Sequence, residues 1–176
     1  MTAVVTRSIP PQRLVNGINP VVRALLTSPL HAAVDGSVLM LHVTGRRTGR
    51  RYDIPVGYVP LDGRFLVVTQ HPWRANLRGG ADLDVTHHGR RRRMHADLDE
   101  DVDPVARILR AVIEQIGRRA ARRRLGLQIA VDRTPTQAEL EAAVQEFDLA
   151  TIILTTPEGD REPPGPGTSE GRRRSA

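Results

Sequence analysis

The chain has no cysteine, no lysine and few flat side chains: one Trp, two Tyr and two Phe among 176 residues. Without cysteine there is no disulfide framework, no thiolate nucleophile and no cysteine-rich zinc site. The shortage of aromatics leaves Val, Leu, Ile and Ala to build the core. No apolar run approaches the length that crosses a bilayer. Arg7 is followed by Pro10 and Pro11 rather than by the apolar stretch of a secretion signal, so a cytoplasmic protein is expected. No internal repeat is visible. The length suits one domain and is short for two.

Arginine is plentiful. All 26 basic residues are arginine, and against 20 acids they leave a formal net charge of +6. The guanidinium group stays charged and offers a planar fork of donors that matches phosphate and carboxylate. The excess points to an anionic partner, without choosing among a nucleotide cofactor, a nucleic acid and a membrane surface.

Residues 1–18 show no period and are expected to form a flexible arm. Asn19-Pro20 is a helix start, with a capping side chain and proline in the first turn. The apolar run 37–44 predicts a strand, 45–50 a turn, and 51–60 and 64–69 two more strands joined at Asp62-Gly63. Residues 72–78 predict a short helix ended by Gly79 and Gly80. Residues 82–88 and 91–98 form a hairpin around Gly89-Arg90. A helix starting with Asp103 as cap and Pro104 as first residue follows, with Val105, Ile108, Leu109, Val112, Ile113 and Ile116 at helical spacing. Thr136 and Glu139 form a capping-box pair ahead of Leu140, Ala143, Val144 and Phe147. Residues 150–155 make a last strand, and 157–176, rich in Pro, Gly, Ser and Arg, predict a disordered tail. Hairpin-ordered strands with late helices argue for a small barrel or an α+β sheet, mainly β with flanking helices.

The most informative stretch is Val43-Thr-Gly-Arg-Arg-Thr-Gly-Arg-Arg51. A glycine-bracketed turn exposes backbone N–H groups, and adjacent guanidinium groups can grip phosphate oxygens in pairs. It lacks the spacing and the Lys-Ser/Thr pair of a P-loop. A solvated hairpin tip explains the same residues equally well on chemistry alone.

Taken together with Ser28-Pro-Leu-His31, Pro55-Val-Gly-Tyr58, Asp62-Gly-Arg64 and Trp73-Arg-Ala-Asn-Leu-Arg-Gly-Gly80, in this order, the turn resembles the deazaflavin-dependent nitroreductase family over residues 19–98. That resemblance implies a split β-barrel of the FMN-binding split-barrel type spanning residues 19–156. It also implies an oxidoreductase that passes a hydride from reduced 8-hydroxy-5-deazaflavin coenzyme (coenzyme F-420) to an electron-poor small organic acceptor. Carried over position by position, Arg46, Arg47, Thr48, Gly49 and Arg50 face the coenzyme's phosphate and acidic tail. Pro55, Val56 and Tyr58 border its ring system. Thr69, Gln70 and His71 run along the ring's edge, and Trp73 and Asn76 open the helix that closes the site. A proton comes from solvent, His71 or Tyr58. No tyrosine follows Tyr58, whereas nitroreductase members line their substrate pocket with tyrosines from a later helical part, so the acceptor stays open. The resemblance is compatible with a homodimer. Alternatives are a related split-barrel protein binding FMN or a tetrapyrrole, and a non-catalytic basic module for nucleic acid or anionic lipid.

Other features read as structural. His87 and His88 are neighbours, so in a strand they point to opposite faces and do not chelate a metal together. Asp99, Glu100, Asp101 and Asp103 suit a helix start, where the macrodipole favours negative charge. The arginine runs 90–93, 118–124 and 172–174 lie in a hairpin, a helix end and the tail, with no nucleic-acid module around them and no stacking aromatics, so no specific nucleic-acid partner is expected. Truncation after Pro157 is expected to leave the melting temperature and cofactor binding unchanged, because the removed residues cannot build a core. A large drop in melting temperature would show that the tail docks.

Overall fold

The computed structural model describes residues 4–7, 38–61 and 63–156. The expected helix start at Asn19-Pro20, the Ser28–His31 motif and the tail lie outside them. Seven strands form one antiparallel sheet, in the order β3-β2-β6-β7-β9-β5-β4. They are β2 (Val38–Thr44), β3 (Arg51–Gly57), β4 (Val59–Leu61), β5 (Arg64–Thr69), β6 (Ala81–His87), β7 (Arg90–Asp99) and β9 (Ala150–Thr155). The edge strands β3 and β4 are consecutive in the chain, with Tyr58 alone between them. A flat sheet cannot bring its two edges within one residue of each other. The sheet therefore curls round until they meet, giving a split-barrel-like fold with flanking helices. The single strand expected over 51–60 is thus two, broken at Tyr58 where the chain passes from one edge to the other.

The period of two decides what lies inside. Leu39, Leu41 and Val43 of β2 point into the barrel with Leu83 and Val85 of β6, Met94 and Ala96 of β7, Ile152 and Leu154 of β9, and Val67 of β5. The alternate residues Leu66 and Val68 face outward and pack under the helices. Aliphatic side chains supply nearly all of this interior, as the aromatic shortage requires. The β6–β7 hairpin turns on His88-Gly89, because His87 pairs with Arg90. Both turn residues have positive φ (47° and 72°), the form whose twist matches the flanking strands. The turn thus sits one residue earlier than Gly89-Arg90.

Helix α1 (Val102–Leu125) begins after Asp101, two residues before the cap expected from Asp103-Pro104. Proline is tolerated throughout the first turn, where the N–H it lacks has no helical partner, so Pro104 does not mark the first position. The helix is broken at Gly117 (φ 78°, ψ 160°) and ends at Gly126 in the left-handed region. Strand β8 (Leu127–Ile129) follows and pairs with β1 (Val5–Arg7), so part of the expected N-terminal arm is a strand and Val5 is buried. Thr136 and Glu139 form the expected capping box of α2 (Gln137–Phe147). A second core lies between both helices and the outer face of β4, β5 and β9.

Arg74 ties these layers together. It lies in a 3₁₀ helix (Pro72–Leu77) and is 7% exposed. Its Nε donates to Glu100 Oε1 (2.8 Å), its Nη1 to the Asp148 carbonyl (3.1 Å) and its Nη2 to Asp148 Oδ1 (2.7 Å). Asp148 caps α2 in the left-handed region and turns both oxygens toward the arginine. Arg78 also binds Glu100, and Arg78 and Arg74 together hold that carboxyl at about 2, below its ordinary 4.5. A depressed pKa stabilises the fold above the unfolded value, and the contribution is lost as pH falls from 4.5 toward 2. Glu139, paired with Arg133, titrates over the same window, so the comparison must be between variants. Glu100→Gln should flatten the acid limb of the melting temperature relative to wild type. Arg74→Met should cost about 2–4 kcal/mol by denaturant unfolding, moderated because both carboxylates reach solvent. An unchanged midpoint would remove Arg74 as the tie.

Candidate functional site

The arginine turn is built by its glycines. The Gly45 N–H donates to the Arg50 carbonyl, and the Gly49 N–H to the Gly45 carbonyl, both at 2.8 Å. Gly49 has φ +64°, and a side chain on Gly45 would meet Thr48 Oγ1 at 3.0 Å. Arg46, Arg47, Thr48, Gly49 and Arg50 are exposed on this tip. Arg50 lies over the Tyr52 ring, 5.5 Å from its centre. Arg46 is fastened from both ends: its N–H donates to Asn76 Oδ1 (3.0 Å) and its Nη2 to the Gly80 carbonyl (3.3 Å). Asn76 in turn donates through Nδ2 to the Trp73 carbonyl (2.8 Å). The 3₁₀ helix therefore holds the turn, and Arg74 holds the 3₁₀ helix.

Beneath the turn, on the outer face of β3, β2, β6 and β7, lies a cavity of about 580 Å³. Arg46, Arg51, Arg91 and Arg93 line it, with Asp53, Asp82, Asp84 and His42, while Val43, Leu77, Ala81 and Leu83 add apolar wall. Its charges are partly matched. Arg91 donates twice to Asp84 Oδ2 (3.1 and 2.7 Å), Arg93 lies 3.7 Å from Asp84, and Asp82 accepts from His95 at 2.6 Å. His42 is bonded to Asp53 and Thr86. Among the described residues, neither Arg46 nor Arg51 meets a carboxylate. Arg91 further holds Asp84 below the usual carboxylate range.

Of the residues that the resemblance singles out, Arg46 and Asn76 line this cavity. Arg47, Thr48, Gly49 and Arg50 stand beside it on the tip. Pro55 and Val56 lie further along β3, half-buried, with Val56 packed against the barrel core. Tyr58 is 4% exposed and belongs to that core. It lies at the end of β3 away from the turn, roughly 20 Å off at strand rise. There its hydroxyl donates to His87 Nε2 at 2.6 Å, and it meets Phe65 edge-on. Burial pushes the Tyr58 hydroxyl up and pulls His87 down to about 4, so both are neutral at pH 7. The rings of His87 and His88 lie 4.1 Å apart, because the turn breaks the alternation expected of a strand. Thr69 is buried, and its Oγ1 accepts from the His71 N–H (3.2 Å). Gln70 Oε1 is buried without a partner among the described residues. Trp73 packs on the barrel core.

Several lining residues are not among those expected at the site: His42, Asp53, Asp82 and Asp84, and Arg91 and Arg93 of the run read as a hairpin. A signal was present. Asp82-x-Asp84-x-Thr86 and Arg91-x-Arg93-x-His95 each repeat at two, so each set shares one strand face and the hairpin pairs acids with bases. Among the described residues no group of three or more acids and histidines could hold a metal ion, and no helix is long and apolar enough to cross a membrane.

A family model described as F420H(2)-dependent quinone reductase matches residues 23–133, more than half of the chain. No curated protein matches. Among solved structures eleven chains match. One, titled as a domain-swapped dimer, is 14% identical, covers 82% of this chain and 99% of its own, and has a TM-score of 0.43, too low to carry an argument.

The tether makes its own prediction. Asn76→Ala removes the acceptor of the Arg46 N–H and should cost about 1 kcal/mol. Hydrogen exchange of the amides of residues 45–50 should quicken, while that of β2 stays unchanged. Equal exchange in the turn would mean that the glycines hold it unaided.

Proposed function

This chain belongs to the F420H(2)-dependent quinone reductase family, and on that premise we propose that it passes a hydride from reduced coenzyme F420 to a small quinone-type acceptor, with the anionic part of the coenzyme held in the cavity beneath the arginine turn. Membership makes the protein an oxidoreductase with F420 as its cofactor, in place of the FMN and tetrapyrrole alternatives. The placement in the cavity, the acceptor and a cytoplasmic location are our reading, as is a cofactor-binding domain of residues 19–156 with 157–176 outside it.

The donor set fits the coenzyme's phosphate and acidic tail. Arg46 and Arg51 are two permanent cations without a carboxylate partner among the described residues, lining a cavity within the range of small-molecule sites, roughly 300–1,000 Å³. That pair is the observation that carries the proposal. Arg91 and Arg93 keep their positions through Asp84 and extend the positive wall. Asn76 holds the Arg46 backbone and the Gly80 carbonyl its guanidinium, so that cation meets an anion with less ordering still to be done. Val43, Leu77 and Leu83 are almost wholly buried and close the cavity's inner wall, so the cavity suits the anionic part of the coenzyme rather than its ring. When bound, the coenzyme supplies the hydride; the protein binds it, orients it and keeps water from its reacting face. Tyr58 does not serve as proton donor in this reading, because it is buried at the far end of β3 and already bonded to His87.

The arrangement weighs against a plain basic surface. The 90–93 run alternates between the two faces of β7, and two of its arginines are paired with Asp84. Arg118 is bound to the Val131 carbonyl and Asp132.

Arg46→Ala and Arg51→Ala should each weaken coenzyme binding by about three- to tenfold, with the exposure of both sites keeping the loss below that of buried contacts. Coenzyme fluorescence and Trp73 emission report binding, with Trp73→Phe as control. Oxidation of the reduced coenzyme by a water-soluble quinone, followed by absorbance, reports turnover. Undiminished affinity in a folded Arg46→Ala/Arg51→Ala double variant would remove the anion site from this cavity. Binding that decays with salt as steeply as phosphate-backbone attraction, with no coenzyme-dependent turnover, would favour a basic binding module.

A further inference from the structure

His42 stands on the floor of the same cavity, on β2, and is clamped from both sides. Its Nδ1 lies 2.7 Å from Asp53 Oδ1 on β3 and its Nε2 lies 2.9 Å from Thr86 Oγ1 on β6. The side chains of His42 and Asp53 keep 20% and 23% of their surface exposed. Cross-strand pairing sets this geometry, since His42 lies opposite Asp53 in one neighbour and opposite Asp84 in the other. The charged groups that line the cavity with it are Asp53 and Arg51 from β3, Asp82 and Asp84 from β6, Arg91 and Arg93 from β7, and Arg46 from the turn.

The clamp holds either charge state. With a neutral ring, Nδ1–H donates to Asp53 and Nε2 accepts from the Thr86 hydroxyl. With a cationic ring, Nε2–H donates to the same oxygen, because a hydroxyl serves as donor or acceptor. Protonation therefore loses no hydrogen bond and moves no side chain; it changes only the charge of the floor. A neutral ring adds no charge to the floor, whereas a cationic ring adds one positive charge beside Arg46 and Arg51.

We propose that this cavity is a proton-coupled anion site, in which an anionic group held by Arg46 and Arg51 binds together with a proton taken up on His42. The proposal rests on the placement of the coenzyme's anionic part argued above and deepens it: the coenzyme enters as an anion plus a proton. Coupling is reciprocal, so the anion raises the proton affinity of His42 by the same factor that the proton raises the anion's affinity. Histidine is the side chain that changes charge between about pH 5 and 8. Affinity then rises as pH falls through that range. His95 lies on the same sheet face, and its pKa is raised by Asp82 and then by Asp97. Its partner Asp82 lines the cavity, but His95 itself does not and meets none of the cavity's arginines, so replacing it separates the part of His42 from that of its neighbour on the sheet.

Inorganic sulfate is the first probe, because its charge is constant over this range. The full chain is titrated calorimetrically at about pH 5.5, 6.5 and 8, at constant ionic strength and in buffers of different ionisation heat. The His42 ring proton is followed by NMR. Sulfate should bind about three- to tenfold more tightly at the lowest pH than at the highest, with proton uptake, and it should move the His42 titration to higher pH. His42→Gln should abolish the pH dependence, and His95→Gln should keep it. Asp53→Asn, which retains the acceptor and removes the charge that favours the cationic ring, should move the rise in sulfate affinity to lower pH. If His42→Gln does not fold, Asp53→Asn and the NMR titration decide. A flat wild-type profile, a dependence that survives in folded His42→Gln, its loss in His95→Gln, or no sulfate binding at any pH overturns the proposal. The same titrations with coenzyme F420 separate the two readings. Coenzyme binding with a flat profile overturns the proton coupling and leaves the placement standing. Sulfate binding that follows His42 while the coenzyme fails to bind supports the coupled site and removes the placement.

Discussion

A single buried guanidinium organises the upper end of this molecule. Arg74 is almost fully out of water, and a charge there is stable only while it is paired and hydrogen-bonded. Glu100, just before α1, and two oxygens of Asp148 at the end of α2 take one bond from each of its three nitrogens, which sets the position of the 3₁₀ helix relative to the two helices and the sheet. Everything at the site follows from that position. The 3₁₀ helix presents Asn76, Asn76 holds the Arg46 backbone, and the turn then sets the Arg46 guanidinium at the cavity on the outer face of β2 and β6. A change at Arg74 would therefore be felt at the turn without touching it.

The barrel keeps two polar assemblies apart. At one end Tyr58 and His87 are dry, neutral and bonded to each other among aromatic rings, an arrangement that secures the junction where the sheet's edges meet. At the other end the cavity is wet and charged, with arginine and aspartate alternating across β6 and β7. Aspartate here limits the field. Asp84 steadies Arg91 and Arg93, and Asp53 orients His42, which leaves Arg46 and Arg51 as the cations available to a ligand. Arg46, held by Asn76 and the Gly80 carbonyl rather than by an acid, meets an anion with little reorganisation. The reduced coenzyme brings the chemistry, so the protein's part is this preorganisation.

Much of the fold could be read from local pattern. The two-residue period of residues 38–44, the pairing of β4 with β5 and the Thr136–Glu139 capping box depend on neighbours within a few positions, and they stand where the pattern puts them. The failures are where a local rule permits more than one outcome. Proline is allowed at several positions of a first helical turn, so α1 starts two residues before Pro104 dictates. Two adjacent dipeptides could turn the β6–β7 hairpin, and strand pairing selects His88-Gly89. Val5–Arg7 carry no pattern of their own and become a strand because β8 offers them an edge.

The sequence by itself determined that the core would be aliphatic, that the chain would carry an anion-seeking surface of permanent cations, and that a glycine-bracketed arginine turn would be its focus. Those are properties of composition and of contacts between near neighbours. Only the tertiary structure decided which arginines are available and which are already matched, because Asp84 meets Arg91 and Arg93 through strand pairing across a hairpin. It also decided that Tyr58 is a core residue and that His42 and Asp53 form the cavity floor. Those assignments depend on which strand lies beside which, and on which way each face turns once the sheet curls until its edges meet, and neither is a local property of the chain.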